Sequence, residues 1–237
     1  MLPIQLQCHL RLIFLCVATT VALTFSLHTS QVHAGNDEFQ KIQKRSEQAE
    51  LQGDLELAIQ LTLQLMQLRP YDLDTMTTLS GLYGKAENPL KQLSWAQVAL
   101  KRNPNYFPAL INQGNALAST GQAKAAEESF RKAQRVDPSS PIPAYSMGVL
   151  AQESDEPQQA ILHFKEALKI NPNFEDAMFN TAVAYANLKM YPEAVQTLDN
   201  LIKRNPSAAD ARYMRAEILG KMTSFKVKKK NMYEVLY

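Results

Sequence analysis

Residues 107–140 read FPALINQGNALASTGQAKAAEESFRKAQRVDPSS, and the same frame returns on both sides of them. Pro138, near the end of that stretch, is one of five prolines set 34 residues apart: Pro70, Pro104, Pro138, Pro172 and Pro206. A fixed period of this size marks a chain built from one stacked unit. Counting from three residues after each proline gives units 39–72, 73–106, 107–140, 141–174 and 175–208, then a partial unit 209–220.

The columns of this frame have a mechanical meaning. The eighth place is always small: Ser46, Ser80, Gly114, Gly148, Ala182 and Ala216. The twentieth holds Ala58, Gln92, Ala126, Ala160 and Ala194, and the twenty-seventh Leu65, Ala99, Ala133, Ala167 and Leu201. The twenty-fourth becomes large and apolar in the later units, running Thr62, Ala96, Phe130, Phe164, Leu198. Packed helices need small side chains where backbones approach and large ones to fill the gaps between. Ala126, Phe130 and Ala133 step by four and three, as do Leu110, Gly114 and Leu117, so both halves of a unit carry helical spacing. Mid-unit, Gly53 and Gly121 mark a turn, and Asn88-Pro89, Asp155-Glu156-Pro157 and Tyr191-Pro192 stand in for it elsewhere. At unit ends each proline stops a helix, and the Asn or Ser after it is placed to cap the next. Each unit is thus two antiparallel helices that bury their apolar faces only by stacking.

This pattern resembles the tetratricopeptide repeat family over about residues 39–220, most clearly in Gly114, Gly121, Ala126, Phe130, Ala133 and Pro138 and their equivalents in the next unit. The resemblance implies an all-α helix-turn-helix solenoid of about five and a half repeats, wound as a right-handed superhelix. Units one and two depart from it. Thr62 stands where a large apolar residue is expected, so Leu61 or Leu63 would have to fill that gap. In the second unit Gln92 and Ala96 replace the small and large residues, and Trp95 is placed to refill the space. A pentatricopeptide array has a period of 35, which this comb never shows.

In proteins similar to this one the first helix of each pair lines a concave groove. Carried over by column, that face holds Thr77, Ile111, Tyr145, Phe179 and Tyr213 at the fifth place, with Asn115, Val149, Val183 and Glu217 at the ninth. Asn112, Asn180 and Asn187 flank them. Places four apart share one helix face. They predict an aromatic ladder, Tyr145–Phe179–Tyr213, beside several amides, suited to a peptide or a partner helix. The cation clamp by which some relatives hold a C-terminal carboxylate is absent: Ile111, Ser146, Asp176 and Asn180 stand at its places. A neutral or mildly basic ligand fits this face better.

Other function classes find little footing. The net charge of +2 gives no footprint for nucleic acid. Both cysteines, Cys8 and Cys16, lie in the first 20 residues, and His163 is the only histidine within the repeats, so no metal set is expected. No glycine-rich phosphate loop or nucleophile turn is present, and the chain reads as no enzyme and without a cofactor. Residues 12–27 are mostly apolar and Val32-His33-Ala34 follows, which reads as a signal peptide over 1–34 cleaved after Ala34. An uncleaved signal-anchor is the alternative, and membrane contact is expected only then. Ile13-Phe14-Leu15 before Cys16 does not suit a lipidation site. The expected setting is periplasmic or secreted. Residues 221–237, with Lys226, Lys228, Lys229 and Lys230, read as a basic tail or capping segment. The sequence predicts an interaction scaffold of the cell envelope with a protein or peptide partner in its groove. Its alternative is an assembly component acting through the convex face and the tail.

Overall fold

The computed structural model describes residues 36–236. The signal segment read at 1–34 lies outside them. Eleven helices and no strand are found among the described residues. They are α1 (36–51), α2 (Leu55–Leu68), α3 (Leu73–Lys85), α4 (Pro89–Arg102), α5 (Phe107–Ser119) and α6 (Ala123–Val136). The series continues with α7 (Ile142–Glu153), α8 (Pro157–Ile170), α9 (Glu175–Asn187), α10 (Tyr191–Arg204) and α11 (Ala209–Leu236). The even-numbered helices start at 55, 89, 123, 157 and 191, the spacing of the prolines.

The prolines shape turns as well as ending helices. In Asn103-Pro104-Asn105-Tyr106 the Tyr106 N–H donates to the Asn103 carbonyl at 3.0 Å, a four-residue turn with proline at its second place. Asp137–Ser140, Asn171–Phe174 and Asn205–Ala208 repeat it. The residue before each of these prolines, not the one after, supplies the side chain. Asn103, Asp137, Asn171 and Asn205 each accept the N–H two residues on, at 3.0–3.1 Å. The caps expected from the residue after the proline do not form, and α5, α7 and α9 have no side-chain cap. An Asx side chain two residues before an N–H closes such a turn locally and competes with capping.

The mid-unit turns share one backbone feature. Residues 53, 87, 121, 155 and 189 all have positive φ, between 54° and 79°. Only Gly53 and Gly121 are glycine, whereas Glu87, Asp155 and Lys189 carry side chains there. In four of these turns the residue after the left-handed one donates to a carbonyl five back, as Gln122 does to Leu117 at 2.8 Å, which closes the preceding helix. Left-handed backbone costs a side-chain-bearing residue about 1–2 kcal/mol, part of which glycine loses again through its freer unfolded chain. Lys189→Gly is therefore expected to raise stability by about 0.5–1 kcal/mol, seen as a higher urea midpoint.

The chain divides into two compact parts, one ending at Ala86 and one starting at Glu87. In the first, Ala49, Ala58 and Leu82 form the core. The eighth and twenty-fourth places meet there through hydroxyls: Ser46 Oγ lies 2.9 Å from Thr62 Oγ1, and the two share their protons between this contact and the Ala58 carbonyl, which lies within hydrogen-bond distance of both. The space expected to be filled by Leu61 or Leu63 is instead part of a cavity of about 340 Å³ that Ser46 and Thr62 line together with Phe39 and Leu65. Leu61 is buried and Leu63 is exposed.

In the second part each helix from α4 to α11 packs on the next. In addition the backbones of α5 and α7, and of α7 and α9, come close together, whereas α6 and α8 meet through long side chains, Gln134 Nε2 donating to Glu166 Oε1 at 2.8 Å. The odd-numbered helices are thus the closer-spaced, inner layer. Between the layers runs the seam of the eighth and twenty-fourth places. Gly148 lies against the Phe164 ring so closely that a Cβ there would sit 2.5 Å from two ring carbons, and Gly114 meets Phe130 in the same way. The fifth unit puts Ala182 and Leu198, both fully buried, in these places. Glycine is needed where the partner is a phenyl ring, and alanine stands where it is leucine.

α11 runs through Gly220 without a break and, at 28 residues, is twice as long as α2–α10, which have 12–14. No helix among the described residues is long and apolar enough to cross a membrane.

Candidate functional site

The inner layer presents one cleft of about 530 Å³ between α5 and α7, closed at one end by the start of α9. Ile111 and Asn115 enter from α5, and Tyr145 and Val149 from α7, each pair four residues apart on one helix face. These four are places five and nine of consecutive units, so the structure brings them together. The floor adds Ala118, Leu150 and the edge of the buried Phe130. The rim carries two exposed carboxylates, Glu153 and Asp176, and no cation.

Tyr145 is the centre of the site. Its ring packs against Phe174 at a centroid distance of 4.8 Å and against Phe164 at 5.7 Å, both tilted. Its hydroxyl accepts a hydrogen bond from Asn180 Nδ2 at 3.0 Å. Burial pushes the hydroxyl's pKa above the ordinary value of 10.0, the Asp176 carboxylate raises it further, and the Asn180 bond opposes both. A phenol with a raised folded-state pKa stabilises the fold fully below pH 10 and loses that contribution as pH rises beyond it. Wild type should therefore lose stability relative to Tyr145→Phe between pH 9 and pH 11, measured by urea unfolding at each pH.

The other groove residues are spread more widely. The predicted ladder is not one of touching rings, because Tyr145 pairs with Phe164 and Phe174 instead of Phe179. Phe179 packs half-buried against the core around Met178, Ala182 and Leu198. Val183 is also half-buried, Asn112 is half-buried on α5, and Asn187 is exposed at the end of α9. Tyr213 stands 74% exposed on α11, and Glu217 is ion-paired with Lys221 at 2.6 Å. Thr77, in the first part, is buried and donates its hydroxyl to carbonyls of its own helix.

Phe174 and Glu153 belong to the cleft and were not read from the sequence. Phe174 sits in the proline turn before α9, two residues after Pro172, in the column that holds Tyr106 two periods earlier. That column reads Asp72, Tyr106, Ser140, Phe174 and Ala208, so it carries no consistent aromatic signal. His163 lies on α8, half-buried in a different cleft beside Lys124, Glu127 and Arg131, with Nδ1 3.8 Å from Glu166. Among the described residues no group of three or more His, Cys, Asp or Glu could hold a metal ion.

Known proteins agree on the fold. Family models described as tetratricopeptide repeat match residues 107–140 and 151–218. The anaphase-promoting complex subunit 3 of Schizosaccharomyces pombe is 24% identical over 159 residues, 67% of this chain and 24% of that protein. The chain therefore spans about a quarter of that relative's length. Among solved structures, TTC0263, a thermophilic TPR protein of Thermus thermophilus, superposes with a TM-score of 0.68 at 18% identity, covering 76% of this chain and 98% of that one. YrrB, described as a TPR protein with an unusual peptide-binding site, gives 0.52 at 17%, covering 74% and 90%. At these identities the structural likeness is one of fold.

Proposed function

Since the chain is a tetratricopeptide-repeat protein, we propose that it is a non-catalytic scaffold that holds a peptide or partner helix of another polypeptide against its inner helix layer. The cleft between α5 and α7 carries this reading: an apolar floor, with Asn115 exposed above it and Tyr145 set into its wall. Rings and aliphatic side chains supply area to bury, and an amide can pair with an extended backbone. The peptide-binding site in the description of YrrB supports the same use of the fold. Catalysis is not supported by the groups that line the cleft. The Tyr145 hydroxyl is pushed away from ionisation, the wrong direction for a general base at neutral pH. The two rim carboxylates are exposed. We place the scaffold in the cell envelope, on the apolar run at 12–27 and the absence of cysteine after Cys16.

Tyr145 is built into the packing of α7 on α8, so truncating it would confuse folding with binding. Asn115 is exposed and free of that problem. A photo-crosslinking residue at Asn115 is expected to give a covalent adduct with a polypeptide in living cells, whereas the same residue at Gln196, exposed on α10, gives none. Equal labelling at both positions, or none at Asn115, would overturn the reading. Fractionation of the same cells with N-terminal sequencing tests the compartment, and the expected mature chain starts at Gly35.

A further inference from the structure

The cleft and the end of the chain have opposite chemistry. Residues 36–220 contain 19 basic and 22 acidic residues, whereas residues 221–237 contain five basic and one acidic. The cleft sits in the acidic portion. Glu153 and Asp176 rim it, no lysine or arginine lines it, and neither carboxylate is ion-paired among the described residues. Below that rim the walls are apolar: Ile111, Val149, Leu150 and Phe174. An occupant that suits such a site carries bulky apolar side chains interleaved with cations. The chain ends in that pattern, with Phe225, Val227, Met232 and Tyr233 among Lys226, Lys228, Lys229 and Lys230.

We propose that the cleft between α5 and α7 accepts the C-terminal segment 221–237 of a second copy of this chain. This rests on the cleft being a partner site, and it names the partner. A chain's own segment is poorly placed for the task, because α11 is one unbroken helix from Ala209 to Leu236. It is about 42 Å long at 1.5 Å per residue, and its end could return to α7 only by breaking the helix. A tail seated in the cleft of the next copy is a heterologous contact, which either closes into a ring or extends head to tail. Charge pairing at an exposed rim also makes it sensitive to salt.

Two measurements on the purified protein test this. A fluorescently labelled peptide of residues 221–237 is titrated into the full chain and followed by anisotropy. Saturable binding is expected, weakened at least tenfold by Glu153→Lys or by Asp176→Lys and weakened again by 0.5 M salt. Glu153 lies in the last turn of α7, where a lysine suits the helix dipole, so that variant is expected to fold even if the other does not. In sedimentation, the mass of wild type should rise with concentration. The triple variant Lys228→Glu/Lys229→Glu/Lys230→Glu and the double variant Glu153→Lys/Asp176→Lys should each lose that rise. Mixing the two should restore it, because the reversed tail then meets a reversed rim. No peptide binding together with a constant mass overturns the proposal. So does association that survives both charge reversals, which would point to another surface such as the face of α11 around Tyr213. The adduct at Asn115 separates this inference from the scaffold reading. An adduct with a different polypeptide keeps the scaffold and removes the self-docking tail, and no adduct removes both.

Discussion

Phe164→Ala is expected to lower the unfolding free energy by about 3–5 kcal/mol. The ring is fully buried. It lies on Gly148 across the helix hairpin and against the Tyr145 ring, so its removal leaves a cavity that touches both layers of the stack. Glycine has no side chain with which to move into that space, so the site collapses poorly, which places the loss at the upper end. In a stacked array the damage does not stay within one hairpin, because each unit is stabilised through its neighbours. The variant should therefore show lost amide protection across α7, α8 and α9 in hydrogen exchange, as well as a lower urea midpoint. Leu162→Ala on the same helix is the control. Leu162 is 61% exposed, and its truncation should change stability by no more than about 0.5 kcal/mol. A loss below about 1.5 kcal/mol for Phe164→Ala would mean that the seam is not what holds the hairpin together.

The same seam is the part of the fold most readable from the chain alone. Gly114 and Gly148 at one place and Phe130 and Phe164 at another are sixteen residues apart within their units, and a fixed period lets each pair be checked against the next. Steric complementarity of this kind is local and leaves a residue-type signature. The left-handed turn residue is only half legible for the opposite reason. Gly53 and Gly121 announce it, but Glu87, Asp155 and Lys189 occupy the same backbone state, held there by the helices on either side. The caps expected after Pro104, Pro138 and Pro172 do not form, because the Asn or Asp before each of these prolines closes an Asx turn, and the competition between cap and turn is settled only by three-dimensional geometry. The cleft shows both outcomes at once. Ile111, Asn115, Tyr145 and Val149 share it because helical spacing puts them on adjoining faces. The ring beside Tyr145 is that of Phe174, from a turn outside the helix columns, where a reading by helix column does not look. At Thr62 the expected space is present as a cavity, and the contact with the Ser46 hydroxyl beside it is one that a hydrophobic pattern does not register.

Gly148→Ala is the second large effect, and its sign runs against helix propensity. In an open helix interior, glycine to alanine gains about 0.5–1 kcal/mol. Gly220 is in such a place, with nothing within 4 Å of a Cβ built there, and Gly220→Ala should show that gain. At Gly148 the added methyl would meet Cδ1 and Cε1 of Phe164 at 2.5 Å, and the ring is fully buried with Tyr145 against it. Either the ring leaves its rotamer or α7 and α8 move apart, and overpacking of this kind costs about 1–3 kcal/mol. A net destabilisation of about 1–2 kcal/mol is expected after the propensity gain is deducted. The fifth unit shows how the chain resolves the same conflict, with Ala182 and Leu198 in the two places. Phe164→Leu in the Gly148→Ala background should therefore recover most of the loss, although Phe164→Leu alone is destabilising. The double-mutant cycle should return a favourable coupling of about 1 kcal/mol or more, within the range found for residues in direct contact. Additive losses in that cycle would show that the two places do not read each other's size, and the packing rule drawn from their columns would fall with it.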